Sequence, residues 1–123
     1  MIALHAQQKT LCPPSQNKKA ASYYDKALSA KKSHKDYETI KEFCENAIEE
    51  DSSFAEPYHL LGDAAYFKKD FKTMKTSYSK MIEECPDAAP EPHYRLGKYL
   101  YDTKKYDEAT KYLKSFLDFG NVN

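Results

Sequence analysis

The side chains with the greatest capacity for metal binding or nucleophilic chemistry are three cysteines and four histidines. Cys12, Cys44 and Cys85 lie more than 30 residues apart, and the sequence has no C-x-x-C or C-x-x-x-H spacing of the kind that forms zinc sites. We therefore expect no metal site. Cys44 falls at an apolar position of a predicted helix, where a buried and unreactive thiol is the usual role.

The histidines, His5, His34, His59 and His93, are poorly placed for a shared site. His59 and His93 fall one helical position out of equivalence in two similar segments, so we expect them to be exposed or to line a groove. The sequence has no grouping of Ser, His and acid and no phosphate-binding loop. We predict a protein that is not an enzyme, with no catalytic residue, no cofactor and no small-molecule substrate.

The 19 basic and 19 acidic side chains balance, but they are unevenly distributed. Residues 1–35 contain seven Lys and one Asp, so the remainder of the chain is acidic. The lysines are interleaved with Ser, Ala and Asp, as on a solvated helix face, and we expect no nucleic-acid partner. No apolar run approaches the ~18 to 20 residues that cross a bilayer, so we expect no direct membrane insertion.

The chain repeats itself at shifts of 34 and then 35 residues. Segments 36–48, 70–82 and 105–117 align, and side chains at offsets 0, 3, 7, 10 and 11 from an aromatic residue form one stripe on a helix. Segments 22–28, 56–62 and 91–97 align at the same shifts. The pattern predicts three helix pairs, at residues 18–33 and 37–50, 55–68 and 71–84, and 91–103 and 106–119.

Prolines and glycines occupy matching places in two of the three units. Pro57 and Pro92 mark helix starts, where proline loses no intrahelical hydrogen bond. Gly62 and Gly97 lie inside helices, where glycine costs ~1 kcal/mol relative to alanine. We expect close approach of a neighbouring helix to offset that cost.

These residues resemble the tetratricopeptide repeat family, whose unit combines an aromatic residue, a Leu-Gly pair, small and aromatic residues and a final proline. The second unit matches at Tyr58, Leu61, Gly62, Ala64, Tyr66, Phe71, Met74, Tyr78, Met81 and Pro86. The third unit also matches, whereas the first has Ala27-Leu28 in place of Leu-Gly. The resemblance implies an all-α fold, a right-handed superhelix of three helix-turn-helix units (an α-solenoid). The units would be about 21–54, 55–89 and 90–120, within a repeat domain of residues 18–120.

In this family the first helix of each unit lines a concave groove, and binding is the usual role. The resemblance places the following residues in a peptide-binding groove: Asp25, Ser29, Glu56, His59, Asp63, Tyr66, Phe67, Tyr94, Arg95, Lys98 and Tyr101. Such an acidic groove with aromatic side chains suits a peptide or protein segment that carries Lys or Arg and an apolar anchor. For Tyr66 and Phe67, packing between helices is the open alternative.

Chaperone-binding members of the family grip a peptide's C-terminal carboxylate with Lys and Asn on the first helix and Lys and Arg on the fifth. The matching positions here hold Asp25, Ser29, Glu91 and Arg95. Only Arg95 is retained, and two positions have the wrong sign. We therefore expect no carboxylate capture of that kind.

The two ends of the chain carry further expectations. The first residues are similar to the last part of a secretory signal peptide with cleavage after Ala6, an ordinary disordered terminus being the alternative. We place residues 1–17 in a flexible segment and 121–123 in a tail. The last helix would leave Tyr112, Phe116 and Phe119 on a partly exposed packing face. An exposed packing face of this kind indicates either that the chain is part of a longer protein or that it self-associates through the C-terminal helix.

A narrower resemblance rests on Cys12, N-K-K-A (17–20), Y-Y-D-K-A (23–27) and F-L-D-F (116–119). These features are similar to the amino-terminal repeat segment of Gram-negative envelope proteins that continue into an OmpA-like domain. The resemblance implies the periplasm or cell envelope rather than the cytoplasm. It also implies an alternative function, a structural or assembly module of a larger cell-envelope or secretion-related protein that uses its terminal helix face.

Overall fold

The computed structural model describes residues 12–119, and within them the chain forms six α-helices and no strand. The helices are α1 (Lys18–Lys32), α2 (Tyr37–Glu50), α3 (Ala55–Lys68), α4 (Phe71–Glu84), α5 (Glu91–Asp102) and α6 (Tyr106–Phe119). The prediction of an all-α helical repeat is confirmed, and each helix end lies within one residue of its predicted place. The chain divides after Ala88 into two compact units, unit 1 and unit 2. Within residues 12–119, none of the helices has the length and apolar character needed to span a bilayer.

Short polar side chains begin three of the helices. Asn17 caps α1 by accepting a hydrogen bond from the Ala20 N–H, and Asp36 and Asp70 cap α2 and α4 in the same way. Each cap satisfies a backbone donor that the helix leaves without a partner, which is worth ~1 kcal/mol. These hydrogen bonds explain why the helices begin at the residues that the periodic pattern predicts.

One turn geometry joins the two helices within every pair. His34, Lys69 and Lys104 have φ of 58°, 67° and 67°, in the left-handed region. The next residue in each turn donates its N–H to a carbonyl five residues back, as Asp70 does to Ala65. This is a Schellman motif, which ends a helix by satisfying its last carbonyl groups. The turn therefore recurs with the sequence repeat, although none of the three left-handed residues is glycine.

The helical glycines lie where a side chain of the partner helix crosses the backbone. A Cβ on Gly62 would be 2.5 Å from two ring carbons of Tyr78 in α4, and a Cβ on Gly97 would be 2.7 Å from Leu113 Cδ2 in α6. Both distances are too short for any other residue without movement of the neighbour. The expectation that close helix approach explains these glycines is confirmed.

The core of unit 1 forms where α1, α2 and α3 meet. The buried cluster consists of Ala27, Ala30, Ile40, Cys44, Leu60 and Leu61. Cys44 is fully buried, and burial raises the pKa of its thiol to about 12, so the prediction of an unreactive core cysteine is confirmed. The buried residues of α1 are only alanines, Ala20, Ala27 and Ala30. This helix therefore gains less from apolar burial than its neighbours do.

A polar link joins α2 to the start of α4. Tyr37 donates its hydroxyl to Asp70 Oδ2 at 2.7 Å, and Lys41 Nζ lies 3.9 Å from the same oxygen. The hydrogen bond from Tyr37, together with that from Thr73, holds the pKa of Asp70 below its usual value. Asp70 thus caps its own helix and also ties the first helix pair to the second.

Unit 2 is built from α5 and α6 around buried Pro92, Leu96, Leu100 and Ala109. The expectation that His93 is exposed or lines a groove is wrong, because its side chain is only 3% exposed. The His93 ring lies 5.2 Å from the Phe119 ring of α6. His93 follows Pro92 in the first turn of α5, and both lie on the face that packs against α6.

Residues 12–17 tie the beginning of α1 to other parts of unit 1. Cys12 forms a disulfide with Cys85, the residue after α4, with their Cα atoms 5.9 Å apart. Ser15 donates a hydrogen bond to Asp51, and the side-chain N–H of Asn17 donates to the Glu50 carbonyl. We call residues 12–17 the N-terminal strap.

The strap makes these contacts within the segment that the sequence predicts to be flexible, residues 1–17, and residues 1–11 of that segment lie outside the described residues. The signal-like start with its cleavage after Ala6 lies outside the described residues, as does the tail at 121–123. Sequence reasoning missed the disulfide, because three cysteines are an odd number and the two partners are 73 residues apart. Cys85 directly follows α4, but Cys12 lies six residues before α1, so the sequence pattern gives no cue that the two meet.

We expect reduction of the disulfide to destabilise unit 1. The chain-entropy estimate for a sequence separation of 73 residues is about 4 kcal/mol. Urea unfolding followed by circular dichroism, with and without a dithiol reductant, measures the difference. Cys12→Ser should have the lower stability in both conditions, whereas Cys44→Ala should keep the response to reductant. Equal stability of the wild-type chain in the two conditions would contradict the expectation.

Candidate binding surface

In unit 1, the predicted binding residues lie on α1 and α3, which are the first helices of the first two repeat units. We call Asp25, Ser29, Glu56, His59 and Asp63 the acidic surface. Asp25 and Ser29 are exposed on α1, and Glu56, His59 and Asp63 are half-buried on α3. Because Glu56, His59 and Asp63 are spaced by three and four residues, they share one face of the helix.

Partial burial sets the electrostatics of the acidic surface. Burial raises the pKa of Glu56, whose carboxylate lies in the first turn of α3. Tyr24 of α1 has its pKa raised to about 12, first by burial and next by the charge of Glu56, with Asp25 and Asp63 contributing. The carboxylates of α1 and α3 therefore lie close enough to raise the pKa of the same tyrosine. Together they give this surface a negative potential.

Asp63 is held by two side chains. The buried Tyr78 of α4 donates its hydroxyl to Asp63 Oδ1 at 2.6 Å, and His59 Nε2 lies 3.5 Å from Asp63 Oδ2. The Tyr78 ring passes over Gly62, the residue before Asp63, where a Cβ would block it. Close packing at Gly62 is thus what allows a core tyrosine to reach a surface carboxylate. Sequence reasoning missed this role of Tyr78, which it had placed only in the apolar stripe.

Two aromatic residues follow on α3. Phe67 is 73% exposed and Tyr66 is half-buried, and their rings meet edge to face with centroids 5.1 Å apart. The exposure of Phe67 favours a role at the surface over packing between helices. Phe67 can therefore offer apolar area to a partner.

In unit 2 the predicted residues lie on α5. Tyr94 and Tyr101 are exposed, and Arg95 is half-buried. Lys98 Nζ lies 3.0 Å from Asp102 Oδ2 on the same helix. This ion pair balances the lysine charge close to the two tyrosines.

The predicted terminal packing face has a more specific arrangement than the sequence pattern indicates. Tyr112, Phe116 and Phe119 are all half-buried. Phe116 lies 5.2 Å from the Tyr94 ring and Phe119 lies 5.2 Å from the His93 ring, so both pack on α5. The most exposed large apolar side chain of α6 is Leu117, at 64%. The repeat alignment had grouped Leu117 with the inward residues Ile48 and Ile82.

Metal binding has little support in the described part of the chain. Within residues 12–119, no three or more side chains of His, Cys, Asp or Glu come together as a metal ion would require. His59 instead contacts Asp63, and His93 is packed against Phe119.

The chain is similar to known repeat proteins over most of its length. A family model described as tetratricopeptide repeat matches residues 55–87 and 90–118. No curated protein sequence matches the chain. Among solved structures, the second TPR of Spaghetti (RPAP3), bound to the HSP90 peptide SRMEEVD, is similar with a TM-score of 0.69 and 19% identity. The match covers 92% of this chain and 96% of that one.

We expect Gly62→Ala to destabilise the protein in a way that depends on Tyr78. The added methyl would overlap a fully buried ring, and such overpacking costs roughly 1 to 3 kcal/mol, beyond the ~1 kcal/mol that alanine gains in helix propensity. Urea unfolding of a double-mutant cycle measures the coupling. In a Tyr78→Ala background, which removes the ring, the same substitution should instead stabilise the chain by up to ~1 kcal/mol, the gain in helix propensity. Equal effects in both backgrounds would contradict the proposed overlap.

Proposed function

The chain belongs to the tetratricopeptide repeat family, and from this premise we propose that its first-helix surfaces bind a segment of another protein. Repeat domains of this kind generally serve as interaction scaffolds rather than as enzymes. The residues for which binding is proposed are those of the acidic surface on α1 and α3, together with the aromatic pair Tyr66 and Phe67. The partner would be a peptide or protein segment that carries Lys or Arg and an apolar side chain.

The observation that carries this proposal is the arrangement of acid and aromatic side chains on α3. Glu56 lies in the first turn and exposed Phe67 in the last, with Asp63 between them. A separation of eleven residues corresponds to about three helical turns, so Glu56 and Phe67 lie on nearly the same face, ~16 Å apart. An extended segment advances ~3.3 Å per residue and points alternate side chains to opposite faces, so a basic and an apolar side chain four residues apart share a face and, with the reach of a long basic side chain, can contact both groups.

Charge supports a partner of different chemistry from that of the structural neighbour. The peptide in that structure, SRMEEVD, has three acidic side chains. Asp25 occupies a position at which the chaperone-binding members carry a basic residue, and Glu56 adds a second acid nearby. An acidic segment would be repelled from this surface, whereas a basic one would be attracted. The proposal therefore takes the mode of binding from the family but not the ligand.

The disulfide supports an oxidising compartment, as the sequence-based expectation of the periplasm or cell envelope requires. Structural disulfides persist outside the cytosol and are rare within it. The proposed comparison of unit 1 stability with and without reductant tests whether the disulfide forms. The expected compartment depends on that disulfide. The narrower resemblance to envelope proteins with an OmpA-like domain is a separate expectation, which neither the family match nor the structural neighbour supports.

Assembly through α6 is the second candidate function. The observation in its favour is Leu117, whose side chain is 64% exposed on a helix where Phe116 and Phe119 are packed against α5. Two copies could bury this leucine against each other, because exposed apolar side chains commonly mark contact sites. In that case the acidic surface would not be needed for function.

We expect neutralisation of the acidic surface to weaken binding of a basic and apolar peptide. The probe is a fluorescein-labelled Gly-Ser peptide with Arg and Leu four positions apart, titrated with the protein and followed by anisotropy. The double variant Asp25→Asn/Glu56→Gln should raise Kd roughly tenfold, by loss of charge complementarity. The matched variant Glu42→Gln/Glu45→Gln removes two exposed charges from α2 and should leave Kd nearly unchanged. Equal losses in the two variants would show non-specific attraction and contradict the proposed site.

We expect Leu117→Asp to abolish any self-association without unfolding the chain, because the side chain contributes little to the core. Multi-angle light scattering across a concentration series measures the mass, and circular dichroism reports the fold. Leu28→Asp, at another exposed leucine on α1, is the control and should associate as the wild type does. A wild-type chain that stays monomeric at every concentration would remove support for assembly through α6.

A further inference from the structure

Two tyrosines form an exposed aromatic face on α5 that differs from the acidic surface. Tyr94 is 44% exposed and Tyr101 is 57% exposed. Seven residues separate them, so they lie two helical turns apart on nearly the same side of α5, at about 10.5 Å along its axis. We call this pair the tyrosine face.

Each tyrosine contacts an aromatic side chain of α6. The Tyr94 ring lies 5.2 Å from the Phe116 ring, and the Tyr101 ring lies 5.3 Å from the Tyr106 ring. Both arrangements are tilted or edge to face, which is the favourable geometry for aromatic pairs. Rings held in this way lose less conformational freedom when a ligand packs on them.

One charged side chain that lies beside the tyrosine face is paired. Lys98, which lies between the two tyrosines on α5, is paired with Asp102 at 3.0 Å. The lysine charge beside the tyrosines is thus balanced, and a basic residue, Arg95, follows Tyr94 in the chain, in contrast to the carboxylates Asp25 and Glu56 of the acidic surface. A partner held by the tyrosine face gains little from basic or acidic side chains and is selected by apolar area and hydrogen-bonding groups instead.

The spacing of the tyrosines matches one kind of uncharged segment. A polyproline II helix has three residues per turn and rises ~3.1 Å per residue, so its matching side chains recur every ~9.3 Å. That repeat is close to the ~10.5 Å between the two tyrosine positions on α5. Proline rings pack well on aromatic side chains, and the phenol hydroxyls can donate to the backbone carbonyls that this helix leaves unpaired.

We propose that Tyr94 and Tyr101 bind a proline-rich segment of a partner protein in the polyproline II conformation. Two prolines three residues apart would each pack on one tyrosine. The segment is already ordered before binding, so the entropy lost on association is small. This proposal concerns a different surface and a different ligand from the acidic surface, and either can fail without the other.

The test uses the full chain and a fluorescein-labelled proline peptide of about nine residues, which is three turns of the helix. Anisotropy should show binding that changes little with salt, in contrast to the Arg-containing peptide, because no charge is neutralised. Tyr101→Ala should raise Kd about tenfold, the loss expected for one packed aromatic contact. Phe71→Ala removes an exposed aromatic side chain from α4, outside both proposed binding surfaces, and should change Kd less than about twofold.

Two results would overturn the proposal. One is binding of the proline peptide no tighter than that of a Gly-Ser peptide of equal length. The other is wild-type affinity in a Tyr101→Ala protein that circular dichroism shows to be folded. If that variant does not fold, ring-proton chemical shifts of Tyr94 and Tyr101 in the wild-type chain decide the matter. Shifts confined to these rings and their aromatic neighbours support the proposal, and shifts confined to unit 1 contradict it.

Discussion

The close approach of two antiparallel helices at a small residue is the constraint on which the remaining structure depends. In α3 and α5 that residue is glycine, and the side chain that crosses it is Tyr78 or Leu113. The equivalent positions of the first pair hold Leu28 and Cys44, so the larger residue is on the first helix and the smaller on the second. The second and third pairs thus combine one large and one small side chain at the crossing, which allows the two helices to pack closely there, whereas Leu28 of the first pair is exposed.

This packing also decides which surface groups remain available. The Tyr78 ring crosses Gly62, and its hydroxyl donates a hydrogen bond to Asp63. The Asp63 carboxylate is therefore already bound by a core residue. Glu56, one turn nearer the helix start than His59, has its pKa raised by burial. The electrostatic character of a binding surface is therefore set partly by contacts made on the opposite side of the helix.

The balanced net charge conceals two surfaces of different chemistry. On unit 1, Asp25 and Glu56 form the surface that we propose binds a basic partner, and on unit 2, Tyr94 and Tyr101 flank a paired lysine and form the surface that we propose binds an uncharged one. Repeat folds allow such differences because the residues that stack the helices are not those that face a ligand. The fold is thus common to the family, while the chemistry of each first helix is particular to this chain.

The amino-acid sequence by itself determined the six helices, their ends, the role of both helical glycines and the burial of Cys44. Caps, breakers and periodic apolar stripes act within a few turns of chain, so a short window contains the whole cause. Only the tertiary structure decided that Cys12 meets Cys85, that His93 is buried against Phe119, and that Tyr78 holds Asp63. These contacts join side chains on different segments, and which side chains meet depends on the path of the folded chain, which no local pattern records.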